Sequence, residues 1–142
     1  MTTHSTIRDR GATAVEVALI LPLILLVAAL TVASWRLWQS RADAQSAAQT
    51  AARAASVGGS VDDGRRRATL TASAELAPTR CRQPRTDVDA AILGTPPGQR
   101  GRVTVDVTCT VSMGDLVLPG LPGSFTVRGR AQAPADSHRE RR

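Results

Sequence analysis

From Val17 to Trp35 the chain runs 19 residues without a charge. At about 1.5 Å per helical residue that is about 28 Å, close to the hydrocarbon thickness of a bilayer. Of the structures that satisfy every backbone group inside lipid, a single run of this length can form only a helix. Arg8 and Arg10 precede the run, and Trp35 and Trp38 close it, where amphipathic rings favour the interface. Pro22 removes one backbone donor from the span, which membrane helices tolerate. A plain signal anchor is one reading. A cleavable secretory signal, with Thr31-Val32-Ala33 as its small-residue exit and Ser34 as the new start, is another. Neither explains Glu16, a carboxylate at the edge of the apolar run.

Glu16 follows Gly11 by five residues, behind the basic Arg8 and Arg10. This order of leader, Gly, four residues, Glu and apolar helix resembles the class III signal of type IV pilins. "RGATAVEVALILPLILLVA", then the Ala-rich "AQSAAQTAARAA", then a late "VTVDVTCTVS", resembles the TadE-like pseudopilins of tight-adherence (Flp) pilus systems. The resemblance is strongest over residues 10–56. Where the family carries a Gly further along the helix, Ser34 and its neighbours stand here. The resemblance implies cleavage by a prepilin peptidase between Gly11 and Ala12, with Arg8 and Arg10 holding the leader in the cytoplasm. It also implies a role for Glu16: pairing with the new Ala12 amine of a neighbouring subunit. The competing reading is a Glu16 that snorkels to the interface beside Arg8 or Arg10.

Beyond the span, Ala44, Ala47, Ala48, Ala51, Ala52 and Ala55 recur on one helical face. Gln45, Gln49 and Arg53 line another at i, i+4. One helix is therefore expected from Ala12 to Val57, about 69 Å long, ending at Gly58-Gly59. Residues 12–35 suit helix–helix assembly; the Ala face of residues 44–55 suits packing on the chain's own head. Ser60 and Asp63 resemble a capping box, predicting a second helix from Val61 to Ala77, stopped by Pro78. Arg65, Arg66 and Arg67 form a solvated face in it. Residues 78–100 read as loop, with a short apolar stretch at Ala90 to Leu93. "RVTVDVTCTV" alternates cleanly and predicts a strand with Val103, Val105, Val107, Cys109 and Val111 inward. "FTVRGRAQA" predicts a second, antiparallel strand with Phe125, Val127, Gly129 and Ala131 inward. Leu116, Val117, Leu118 and Leu121 fall in the connecting loop, either folded over the sheet end or exposed as a contact. The tail "ADSHRERR" reads as disordered.

The remaining chemistry is sparse. His4 and His138 lie in terminal segments, and no metal-spaced cluster, phosphate-cradling loop or nucleophile elbow is present in the sequence. All 18 basic residues are Arg, and Phe125, Trp35 and Trp38 are the only aromatics. Net charge +6 without basic residues interleaved with aromatics argues against nucleic acid. A head so poor in aromatics has a thin core. Cys81 and Cys109 favour a disulfide on the outer side of the membrane; the alternative is two unpaired thiols, with Cys109 filling the strand's apolar face.

The expected architecture is α+β: a leader over residues 1–11, a transmembrane and assembly helix over 12–57, an extracytoplasmic head over 58–135 and a tail over 136–142. Positive-inside counting does not orient the span, with Arg8 and Arg10 balanced by Arg36 and Arg41. The leader, the Cys pair and the pilin-like signal favour a cytoplasmic N-terminus. The function expected is non-catalytic: a minor component of a tight-adherence pilus or related secretion filament, without cofactor or metal. Its partners would be a prepilin peptidase, other pilins and pseudopilins, the tight-adherence membrane platform and membrane lipid. The alternative is an anchored envelope protein that binds a partner and enters no filament.

Overall fold

A computed structural model describes residues 8–96, 98–116 and 122–135. The first element, α1, is a single helix Arg8–Ser56 of 49 residues, about 73 Å long. It turns at Gly58 into α2, Val61–Leu76. Three antiparallel strands follow in the order β1-β2-β3: β1 Arg82–Asp89, β2 Arg102–Ser112 and β3 Ser124–Pro134. A 3-10 turn, Ala91–Gly94, separates β1 from β2, and a four-residue helix α3, Met113–Leu116, follows β2. The class is α+β: two helices packed on one face of a three-stranded sheet.

The core follows from two matched periodicities. Alternation along β2 sends Val103, Val105, Val107, Cys109 and Val111 to one face, and all five are buried. The helical stripe Ala44, Ala47, Ala48, Ala51, Ala52 and Ala55 is buried against them and against Ala68 and Ala72 of α2. Ala side chains remove little area from water but allow close approach of backbones. The closest approach is at Gly129 on β3, where any Cβ would run into the Ala44 carbonyl and the Gln45 nitrogen. Gly is therefore required there by space rather than by dihedral freedom. Between the two helices, a Cβ on Gly58 would lie 2.8 Å from the Gly64 Cα, so the α1–α2 turn is also closed by small residues.

α2 begins with a reciprocal cap. Ser60 Oγ accepts from the Asp63 N–H at 3.2 Å, and Asp63 accepts from the Gly59 N–H at 3.3 Å. The return bond thus reaches one residue further back than the usual box. The Arg67 guanidinium beside Asp63 holds its carboxyl below the usual carboxylate range, aided by Gly59 and Arg66. α2 ends at Leu76, one residue before the expected end, with Ala77 as its cap.

Two expectations are corrected. Residues 82–89 form β1, where the sequence reads as loop. Val88 alone of its eight residues is buried, so no alternation marks the strand. Its Pro84 falls at a shift in register between Arg82 and Arg85, beside Gln83 with φ 51°. Edge strands tolerate Pro at such a bulge. The pairing with β2 from Arg85↔Thr108 to Asp89↔Thr104 defines the strand instead. The second correction is Phe125. It shares the inward face of β3 by register but is 43% exposed, because nothing described at that end of the sheet covers it. Val117, Leu118 and Leu121 of the β2–β3 connection, and the tail from residue 136, lie outside the described residues.

Candidate functional site

The apolar half of α1 carries no head. Val15, Val17, Leu19 and the large apolar side chains as far as Leu30 are all exposed. Among the described residues α1 is the one helix long and apolar enough to cross a membrane, and none of its apolar window is buried. Its two internal hydroxyls are satisfied within the helix: Thr31 donates to the Val27 carbonyl and Ser34 to the Leu30 carbonyl, both at 2.8 Å. Such back-bonding removes the cost of carrying hydroxyls into lipid. The helix passes Thr31, Val32, Ala33 and Ser34 without a break.

Arg8, Arg10, Gly11, Ala12 and Glu16 all fall within α1. Ala12 and Glu16 are four residues apart, so they stand one turn apart on the same face, about 6 Å along the axis. Glu16 is exposed.

At the other end of the span the helix enters the head with no linker. Trp35 and Trp38 are both exposed, with ring centroids 5.6 Å apart. On the neighbouring face, Arg36 donates to the Asp115 carbonyl of α3 at 3.1 Å. Arg82 of β1 forms an ion pair with the Asp115 carboxylate at 3.2 Å. Leu37 packs on a small cluster of Ala44, Cys109, Val111 and Val127. One turn of helix thus contacts the β2–β3 connection and the lower end of the sheet.

Cys81 and Cys109 form a disulfide, with Cα atoms 5.3 Å apart. It ties the segment between α2 and β1 to the middle strand, and Cys81 touches both groups of core residues. Closing a loop of this size constrains the unfolded chain by about 3.5 kcal/mol in the entropy model.

Two positioning residues escape the sequence reading. Gln45 is spaced as part of a polar ladder with Gln49 and Arg53, yet its amide bonds both backbone groups of Arg130. A surface Gln carries no sequence signal for such a role. Gly129 carries a weak one, since a Gly inside an alternating strand marks close approach of another backbone. Among the described residues no group of three His, Cys, Asp or Glu gathers where it could hold a metal. His4 and His138 lie outside them.

An exposed apolar helix continuing into a small α+β head supports a single-pass membrane anchor. The model of the family described as TadE-like protein matches residues 11–53, within α1. Over that helix the chain is similar to TadE-like proteins. The match stops before the head. No curated protein and no solved structure matches the chain.

Proposed function

We propose that the protein is a non-catalytic minor pilin or pseudopilin of a tight-adherence pilus or related secretion filament. A prepilin peptidase trims it between Gly11 and Ala12, leaving α1 as its anchor and the head outside the cytoplasmic membrane. Arg8 and Arg10 retain the leader inside, and Glu16 pairs with the Ala12 amine of a neighbouring subunit. An unpaired carboxylate in a membrane span costs about 2–3 kcal/mol, which such a pair partly offsets. One observation carries this reading: the TadE-like match opens at Gly11 and Glu16, one turn past Ala12, immediately precedes the apolar span on the same helix.

Intact-mass measurement of the membrane-extracted protein tests it. The expected mass lacks residues 1–11. A mature start at Ser34 would instead establish a secretory signal and remove the anchor.

A second reading, an anchored protein that enters no filament, draws support from the Ala stripe. Those residues are buried against the chain's own head, so residues 44–55 offer no small-residue face to a neighbour. Assembly through helix–helix contact would then use residues 12–35. Cross-linking to other pilus subunits through that segment separates the two readings.

A further inference from the structure

All three aromatic residues of the chain, Trp35, Trp38 and Phe125, are exposed. They come from elements 87 residues apart in sequence. Gly129 rests against Ala44 and Arg130 is bonded to Gln45, which fixes β3 alongside α1. Four residues back along β3, at about 3.3 Å each, is about 13 Å. Nine residues back along α1, at about 1.5 Å each, is the same distance. Phe125 therefore stands level with Trp35. The Arg36 bond to Asp115 gives this level independently, because it places the start of the β2–β3 connection beside the same helical turn.

We propose that this end of the head rests on the bilayer, with Phe125 inserted at the lipid interface at the level of the Trp35–Trp38 pair. The occupant of the exposed aromatic level is phospholipid rather than another protein because α1 is continuous. The turn that carries Trp35 is the last of the apolar span, so whatever depth Trp35 takes, Phe125 takes nearly the same. Trp favours that zone, and elements that lie there bury an apolar face of Trp, Phe and Leu about 5–10 Å into the headgroup and acyl boundary. The opposite end of the head carries no aromatic, and the outward face of the sheet is polar, with Arg85, Thr108, Thr110 and Arg128. The inference rests on membrane anchorage by α1. It does not depend on peptidase processing or on entry into a filament.

Tryptophan quenching in proteoliposomes tests it on the full chain. In a Trp35→Phe/Trp38→Phe background, a sole tryptophan is placed by Phe125→Trp, by Leu25→Trp inside the span, or by Val57→Trp at the far end of the head. Each variant is reconstituted in phosphatidylcholine, with and without bromine on the acyl chains. Resistance of Cys81 and Cys109 to alkylation certifies the native head. Phe125→Trp is expected to show blue-shifted emission and quenching well above Val57→Trp, approaching Leu25→Trp. If Leu25→Trp is quenched and Phe125→Trp behaves as Val57→Trp, the anchorage stands and the inference falls. If Leu25→Trp is not quenched, the anchorage fails and takes the inference with it. A Phe125→Trp signal that shifts only when other pilus subunits are added would make this end a protein interface, which also overturns the proposal.

Discussion

Gln45 and Arg130 exchange two hydrogen bonds across the helix–sheet junction. The Gln45 amide nitrogen donates to the Arg130 carbonyl at 2.8 Å, and the Arg130 N–H donates to the Gln45 amide oxygen at 3.1 Å. A side chain thereby occupies the place of a fourth strand. Arg130 pairs with Asp106 on β2, and its own backbone groups bond on the other side to Gln45. The amide blunts an edge that would otherwise offer unpaired donors and acceptors.

Replacing that amide gives the first expectation. Gln45→Ala should lower stability by about 1–2 kcal/mol, since two bonds are lost at a partly solvated site. Gln45→Glu should not rescue it, because a carboxylate keeps the acceptor but cannot donate to the Arg130 carbonyl. Urea unfolding of the detergent-solubilised protein, followed by circular dichroism, measures both. A midpoint unchanged in Gln45→Ala would show that the exchange contributes nothing.

Gly129 is more sensitive. Gly129→Ala places a methyl group into the Ala44 carbonyl, and the obstacle is backbone that cannot rotate away. A loss of about 1–3 kcal/mol is expected from the shift this forces on α1. Gly59→Ala is the matched control, with nothing within 4 Å of its new methyl. Thermal midpoints of the two variants should therefore separate clearly, with only Gly129→Ala lowered.

The disulfide should carry a large share of head stability. The double variant Cys81→Ser/Cys109→Ser is expected to lose about 3.5 kcal/mol against the oxidised protein. Reductant alone should lower the wild-type urea midpoint in the same direction and leave the double variant unmoved. Free labelling of both thiols in the native, exported protein would contradict the pairing.

Glu16→Gln separates assembly from anchoring. If Glu16 pairs with the Ala12 amine of a neighbour, the amide leaves that amine without a counter-charge at the membrane edge. Loss of one partner of a desolvated pair costs about 3–5 kcal/mol, enough to weaken association more than a hundredfold. The variant should be inserted and trimmed but fail to cross-link with other pilus subunits. A cross-linking yield equal to wild type, at matched protein levels, would leave Glu16 with no assembly role, as would pairing confined to its own chain.

The parts of the fold legible in sequence are those whose burial is periodic. Val103 to Val111 alternate because one face of β2 is covered, and the Ala stripe recurs because one face of α1 is covered. β1 was illegible for the converse reason: an edge strand with one buried residue and a Pro at its bulge has no period to detect. Phe125 shows a different limit. Alternation assigns it correctly to the inward face of β3, but whether that face is covered depends on how far the helices extend. The candidate site divides the same way. Gly11 and Glu16 are read from spacing along one helix, whereas Gln45 meets Arg130 across 85 residues, a contact no local pattern encodes.

Because α1 runs from the span into the core of the head without a joint, the two share one axis. Membrane helices tilt by about 20° on average. The part of α1 from Arg36 to Ser56 reaches about 31 Å beyond the span, at 1.5 Å per residue. A 20° change in tilt would then sweep the far tip of the head sideways by about 11 Å. The helix works as a lever: a small rotation imposed by neighbours inside the membrane becomes a displacement outside it comparable to the width of the helix itself.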